Sequence, residues 1–390
     1  MKRSPAGTRM QPEPDYRQLD AEYVMRVFSR DLMMVRGEGA RLWDDRGNEY
    51  IDCVAGIAVC STGHAHPRVA AAIGEQAQNL IHVSNHYYIP GQAELARRLV
   101  GITGMEGGRV FFSNSGTEAT EAALKLARVR SGRTRFLAFT NGFHGRTCGA
   151  LSTTFKPSIR TPFLPLPYEC SFADYGDLES VDEMLDGSVA AVIVESVQGE
   201  GGVVPAPAGF LSGLRRLCDD AGSLLILDEV QTGFGRTGRW FGYQHDEITP
   251  DIVTMAKGIG SGFPMGAIVA REGLEFRPGE HGGTYVGGPL ACAAGNATID
   301  IIEEILPDIR RKGDLFAEAL SAYNPRHAGL MLGITVGERC GDVQRRCQEN
   351  GVLVNCTNGH IRIVPPLVIT DEEIEKAAEV IDEALCSVVL

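Results

Sequence analysis

The sequence predicts an α/β protein: a large domain on a mostly parallel sheet, with a smaller α+β domain attached. Three observations lead there. From about residue 109, short apolar runs alternate with amphipathic segments: RVFFSN, EATEAALKLARVR, RFLAFTN, AAVIVES, AGFLSGLRRLCDDAG, SLLILDE and DIVTMAK. Runs that are apolar throughout, such as Val189 to Val194 and Leu224 to Leu227, suit strands covered by helices on both faces. After about residue 284 the order changes to a long helical stretch, a mixed segment and a terminal helix.

The elements follow in chain order. Residues 1–20 are polar and Pro-containing, and read as a frayed tail. In residues 39–56, two runs of β-formers flank Asp45-Arg46-Gly47-Asn48, which predicts a hairpin. Residues 67–100 carry helical periodicity in two blocks, broken around His86 to Pro90. The alternating region comes next. A helix is expected through Ala291 to Leu306, then a mixed segment from ITVG to IRIVPPLVI, then a helix from Asp371. This places a segment over 1–60 that joins the small domain, a large domain over 61–283, and the C-terminal small domain over 284–390.

Composition narrows the function. The 390 residues include 37 Lys and Arg against 50 Asp and Glu, a formal charge of −13. Such a chain lacks the cationic surface that nucleic acid or an anionic membrane selects. The first twenty residues contain no apolar core of a secretory signal, and no stretch reaches 18 apolar residues, so a cytoplasmic protein is expected. None of the ten cysteines lies in a C-x-x-C pair; the closest spacings are Cys53 with Cys60 and Cys340 with Cys347. They read as reduced core residues, without a zinc site. His64 and His66 have no third ligand at matching spacing, so GHAHP reads as a tight turn closed by Pro67 and no metal is expected.

In open α/β sheets, ligands bind beyond the carboxyl ends of the strands. Those ends carry Ser113 to Thr117, Asn141 to His144, Glu195, Asp228 with Glu229, and Lys257. At the first, a strand runs into small polar residues and then a helix. The N–H groups of Gly116 and Thr117 and the hydroxyls of Ser115 and Thr117 suit a phosphate. Ser115 with Glu118 is also a capping box, which uses the same end of the helix. Asp228 ends a buried run and needs a cationic or hydrogen-bonding partner. Lys257 ends an apolar strand ahead of the Gly-rich GIGSGFPMG. A lysine in a partly dry site loses its proton readily and becomes a nucleophile toward carbonyls. An acid, a lysine and a phosphate cup together suit pyridoxal 5′-phosphate.

Longer motifs span nearly the whole chain: RGEGARLWDDRGNEYIDCVAGIAVCSTGHAHP, FFSNSGTEATEAALKLAR, FHGRT, VESVQGEGGV, DEVQTGFGRTG, AKGIGSGFPMGA, HGGTYVGGPLACAAG and IRIVPPLVI. Through them the chain resembles the class III pyridoxal-phosphate-dependent aminotransferases of fold type I, within the acetylornithine and ornithine aminotransferase group. The resemblance implies that Lys257 carries the cofactor and moves the proton. Asp228 pairs with the pyridine nitrogen, Gln231 lies near the ring hydroxyl, and Val230 and Phe143 cover the two ring faces. Ser115, Gly116 and Thr117 hold the phosphate. Thr284 reaches the phosphate bound by a partner subunit, so a homodimer with shared sites is implied. Arg146 takes the substrate carboxylate distant from the reacting amine, Arg362 takes the α-carboxylate of glutamate, and Glu200 covers Arg362 when the other substrate is bound.

The chain departs from the family pattern at four positions. Gly283 stands at a substrate-touching position where many relatives carry serine; Val286 and Gly288 also differ, and Ser196 replaces a proline. The Ala55-Gly56-Ile57 stretch lacks the tyrosine that ornithine-using relatives carry nearby. The reaction this implies moves the δ-amino group of N2-acetyl-L-ornithine to 2-oxoglutarate, a step of arginine biosynthesis. Ornithine, 4-aminobutyrate or a carrier-bound lysine precursor is an alternative donor. A glutamate-1-semialdehyde aminomutase is disfavoured by DEVQTGFGRTG in place of DEVMTGFR. A dehydrogenase is disfavoured because no G-x-G-x-x-G occurs at an early strand-to-helix turn. A non-catalytic relative is disfavoured because Lys257 is intact.

Overall fold

A computed structural model describes residues 15–389. Its centre is a seven-stranded sheet in the order Arg109–Ser113, Gly266–Ala270, Ile252–Met255, Leu224–Asp228, Val189–Glu195, Arg135–Phe139 and Cys170–Ala173. Only Gly266–Ala270 runs against its neighbours; the other paired strands are parallel. Strand side chains alternate between two buried faces. Leu137, Val192, Leu225, Leu227 and Val253 enter one core, whereas Phe136, Ile193, Ile226 and Ile252 enter the other. Burial on both faces explains why these segments read as unbroken apolar runs.

Register sets the chemistry. Asp228 lies opposite Glu195 on one side and Thr254 on the other. Three strands therefore end together, and Lys257 follows Thr254 by three residues. The helix Gly116–Ser131 packs behind this edge.

A second body holds the four-stranded antiparallel sheet Arg326–His327, Leu332–Thr335, His360–Ile363 and Asn355–Thr357, in that spatial order. The helices Cys340–Glu349 and Asp371–Val389 contribute to its core. The N-terminal strands Met34–Glu38, Arg41–Asp44 and Glu49–Asp52 form a further sheet, closed by Val352–Leu353 in parallel. At the turn of the expected hairpin, the Asp44 carboxylate accepts from the N–H groups of Arg46 and Asn48 at 2.9 and 2.8 Å. Gly47 supplies the positive φ there.

Several expectations need correction. The tail expected over residues 1–20 lies outside the described residues up to residue 14. Beyond that, Asp15 caps a helix, Tyr16–Tyr23. The helix expected to end at Leu306 runs on from Pro289 through Pro307 to Ala319. Its first half supplies Cys292, Ile299 and Ile302 to the core of the large sheet; its second half supplies Ile309 and Phe316 to the other core. Packing at both ends outweighs the hydrogen bond Pro307 removes. Cysteines also differ: Cys340 and Cys356 form a disulfide, with Cα atoms 5.7 Å apart. Helix-on-strand packing brings them together across 16 residues, which spacing alone does not show. The other eight are free. Among the described residues no helix is long and apolar enough to cross a membrane, and no cluster of metal-ligating side chains occurs. His64 pairs with Asp52 at 2.7 Å, and His66 caps the helix Pro67–Asn79.

Candidate active site

A cavity of about 500 Å³ opens at the carboxyl ends of the central strands. Ser115, Gly116, Thr117, Phe143, Arg146, Glu200, Asp228, Val230, Gln231 and Lys257 all line it. Arg362 lies directly behind, bonded to Glu200 and Gln231. Thr284 and Gly283 do not reach it. They line a separate cavity of about 710 Å³ with Asn85, His86 and His281.

Asp228 is 4% exposed and tightly held. One carboxylate oxygen accepts from the N–H of Val230 at 3.0 Å and from the Thr254 hydroxyl at 3.2 Å. The other faces His144 Nδ1 at 2.7 Å. A carboxylate only accepts, so Nδ1 carries the proton. Burial works against a charged His144 ring, but Asp228, with help from Glu195, outweighs it and raises the pKa. Glu195 accepts from the N–H groups of Phe143 and Gly199 at 3.0 and 3.1 Å. Burial pushes its carboxyl up to about 7, against the pull of His144 and those two N–H groups. Sequence reasoning placed His144 and Glu195 at strand ends but gave neither a role, and it missed Thr254. Pairing register places Thr254 and Glu195 beside Asp228, and the loop after Phe139 brings His144 to it.

Lys257 leaves its strand with φ +45°, a left-handed conformation that costs a non-glycine residue about 1 kcal/mol. Burial lowers its amine to about 8; the Arg362 cation adds to this, while Glu200, Asp228 and Glu195 oppose it. At physiological pH a minority of the amine is therefore already neutral, far more than for an ordinary lysine.

The helix start opposite is a shaped cradle. A Cβ on Gly116 would lie 2.8 Å from Val230 Cγ1, so only glycine leaves this surface open. The Ser115 hydroxyl accepts from the Glu118 N–H, while the Glu118 carboxylate accepts from the N–H of Asn114 at 2.6 Å. The Thr117 hydroxyl oxygen accepts from the N–H groups of Arg146 and Thr147, both at 3.2 Å. Thr117 therefore also ties down the loop that carries Phe143 and Arg146. Gly145 permits this, since a Cβ there would meet Thr117 Oγ1 at 2.3 Å.

Two arginines differ in pairing. Arg146 is exposed and forms no ion pair among the described residues. Arg362 is 1% exposed: one guanidinium nitrogen donates to Glu200 at 2.6 Å, another to Asn355 at 2.8 Å, and Nε has no partner. Burial opposes ionisation of Glu200, yet Arg362 and, more weakly, Lys257 hold its carboxyl below the usual range. At the mouth, Ala55, Gly56, Ile57 and Ala58 form a left-handed turn, with φ of 50°, 63°, 68° and 59°, and deliver Val59 to the cavity wall.

These residues fit pyridoxal phosphate. An aldehyde needs an amine that gives up its proton readily, a phosphate needs the free N–H groups of a helix start, and a pyridinium needs a fixed buried carboxylate. Lys257, Gly116 with Thr117, and Asp228 supply these around one cavity.

Comparison with known proteins agrees. Residues 24–385 match the family "Aminotransferase class-III". The acetylornithine aminotransferase of Methanopyrus kandleri is 52% identical over 384 residues, covering 95% of this chain and 99% of its own. That of Methanosarcina acetivorans is 49% identical over 377 residues, covering 94% and 95%. The ornithine aminotransferase of Toxoplasma gondii, whose structure holds pyridoxal phosphate at partial occupancy in its active site, superposes with a TM-score of 0.91. It shares 34% identity and covers 97% of this chain and 96% of its own.

Proposed function

The chain belongs to the class III aminotransferases, and on that premise we propose that it moves the δ-amino group of N2-acetyl-L-ornithine to 2-oxoglutarate. The products are N-acetyl-L-glutamate 5-semialdehyde and L-glutamate. The observation that carries the reading is the contrast between the two arginines: Arg146 forms no ion pair among the described residues, whereas Arg362 is covered by Glu200 at 2.6 Å beside Lys257. N2-acetylornithine brings one carboxylate, far from its reacting amine. Glutamate brings two. One cation must always be available, and the other must be neutralised when no second carboxylate arrives.

The cofactor is pyridoxal phosphate, which when bound supplies an electron sink for the pair released at the carbon bearing the nitrogen. Gly116, Thr117 and Ser115 hold its phosphate; Phe143 and Val230 flank the ring, with Gln231 beside them. Asp228, held by His144, Thr254 and the Val230 N–H, keeps a proton on the ring nitrogen. Lys257 Nζ would take the proton from the substrate carbon that bears the amine and deliver it to the cofactor carbon that receives the nitrogen, and would do the reverse for the second substrate. Arg146 orients either substrate through its distal carboxylate. Arg362 receives the α-carboxylate of glutamate once Glu200 turns aside. We further propose a homodimer as the working unit, with Thr284 facing the partner's site, because Thr284 and Gly283 lie exposed and away from Lys257 of their own chain.

A panel of amino donors with 2-oxoglutarate, read by glutamate formation, tests the substrate. N2-acetylornithine is expected to lead; faster turnover of ornithine or 4-aminobutyrate overturns the choice. Borohydride followed by peptide mapping is expected to fix the cofactor on Lys257, and a label elsewhere refutes that role. Light scattering is expected to give twice the chain mass; a monomer with full activity rules out shared sites.

A further inference from the structure

The strand Asn355–Thr357 lies at the edge of the small sheet, beside His360–Ile363. Asn355 is directly opposite Arg362, and Thr357 is opposite His360. Side chains alternate along a strand, so Asn355 and Thr357 share a face while Cys356 points the other way, into its disulfide with Cys340. The shared face meets Glu200 and Arg362. Asn355 accepts from Arg362 at 2.8 Å, and the Thr357 hydroxyl donates to the second carboxylate oxygen of Glu200 at 3.0 Å. The Asn358 side-chain amide donates to the Glu200 backbone carbonyl at 2.7 Å.

We propose that Thr357 is a positioning residue that sets the balance between the two substrates of the proposed reaction, by holding Glu200 over Arg362. This rests on the reading of Glu200 and Arg362 as an exchangeable pair. The backbone of residue 200 is pinned by Asn358, and Arg326 donates to the carbonyls of Gly202 and Val203 at 2.7 and 3.1 Å. With the loop anchored on both sides, uncovering Arg362 is a rotation of the Glu200 side chain rather than a displacement of the loop. In that rotation one oxygen leaves Arg362 and the other leaves Thr357. The incoming carboxylate replaces the first contact, since Arg362 gains a new acceptor and has an unpaired Nε to offer. The second is replaced only by water and by the longer contact of the hydroxyl with the Glu200 backbone carbonyl, 3.4 Å away and neutral. The Thr357 hydroxyl therefore weighs more on the covered state than on the open one. Asn355 holds Arg362 in both states, so it adds affinity without biasing the choice.

A ligand that needs the uncovered state binds more weakly in proportion to how rarely that state is populated. Loss of a hydrogen bond to a partly exposed carboxylate changes that population about threefold to tenfold. The test uses the holoenzyme and calorimetric titration with glutarate, a dicarboxylate that cannot react, and pentanoate, its monocarboxylate counterpart. Thr357→Val is expected to tighten glutarate by about threefold to tenfold with pentanoate unchanged. It should also raise KM for N2-acetylornithine and lower KM for glutamate, with smaller changes in kcat. Thr357→Ala gives the same direction, and Thr357→Ser, which keeps the hydroxyl, restores the native ratio. An unchanged glutarate-to-pentanoate ratio in Thr357→Val, with a raised ratio in Glu200→Ala, overturns the role of Thr357 and leaves the pair intact. An unchanged ratio in both variants overturns the exchangeable pair itself.

Discussion

Two charged assemblies share the cavity and are built in opposite ways. The Asp228 group sits at the ends of neighbouring strands of one sheet, with Thr254 and Glu195 placed by register and His144 by the buried loop that follows Phe139. His144 and Asp228 are both nearly inaccessible, so breaking their contact strands a charge in a dry interior. The Glu200 group joins a loop of the large body to a sheet of the small one. Its carboxylate is 29% exposed, so water is at hand when the pair opens. A group that must hold one proton in place is buried in a rigid sheet. A group that must exchange partners is placed at a junction, against solvent.

Breaking the rigid assembly should give the largest effects. Lys257→Ala is expected to lower turnover roughly a thousandfold or more without loss of the fold, read by kcat and by thermal melting. His144→Ala leaves the buried Asp228 carboxylate without its closest hydrogen-bond donor and is expected to cost about 3 kcal/mol in urea unfolding of the apoprotein. It should also shift the pH dependence of the bound cofactor's visible absorption. Breaking the exchangeable assembly should be milder and one-sided. Glu200→Ala is expected to slow the N2-acetylornithine half-reaction about tenfold more than the glutamate half-reaction, measured in single turnovers; equal losses erase the contrast. The Lys257 amine sharpens it by pH. Its lowered pKa means that the neutral amine persists down to about pH 8, so acylation of the apoprotein at Lys257 should titrate near 8, well below an ordinary lysine. In Arg362→Met the neighbouring cation is gone, and the same titration should move upward. The smallest effect lies at the rim: Ile57→Gly relieves the left-handed strain of an exposed β-branched residue, and should stabilise the protein by about 0.5 kcal/mol once the extra freedom of glycine in the unfolded chain is counted.

The rigid assembly was the more legible of the two in the sequence. Apolar runs that end in Asp228 and Lys257 announce buried strands carrying charge, and Ser115 with Glu118 announces a helix start. The partners of those residues are not local. Thr254 meets Asp228, and Asn355 meets Arg362, only because two strands pair in one register, and Thr357 meets Glu200 only through packing between bodies. The same reason hides the disulfide: Cys340 begins a helix, Cys356 sits in a strand, and neither segment's pattern points to the other. Pro307 misled because local rules end a helix there, whereas two separate cores hold this one together.

The departures from the family pattern at 283 and 286 turn out to be linked. A Cβ at Gly283 would lie 2.6 Å from Val286 Cγ1. With glycine at 283 the valine is free to change, whereas a serine introduced beside Val286 requires that side chain to move aside. The order of change at this corner therefore matters: losing the valine first opens the way to serine, and adding serine first meets a crowded neighbour.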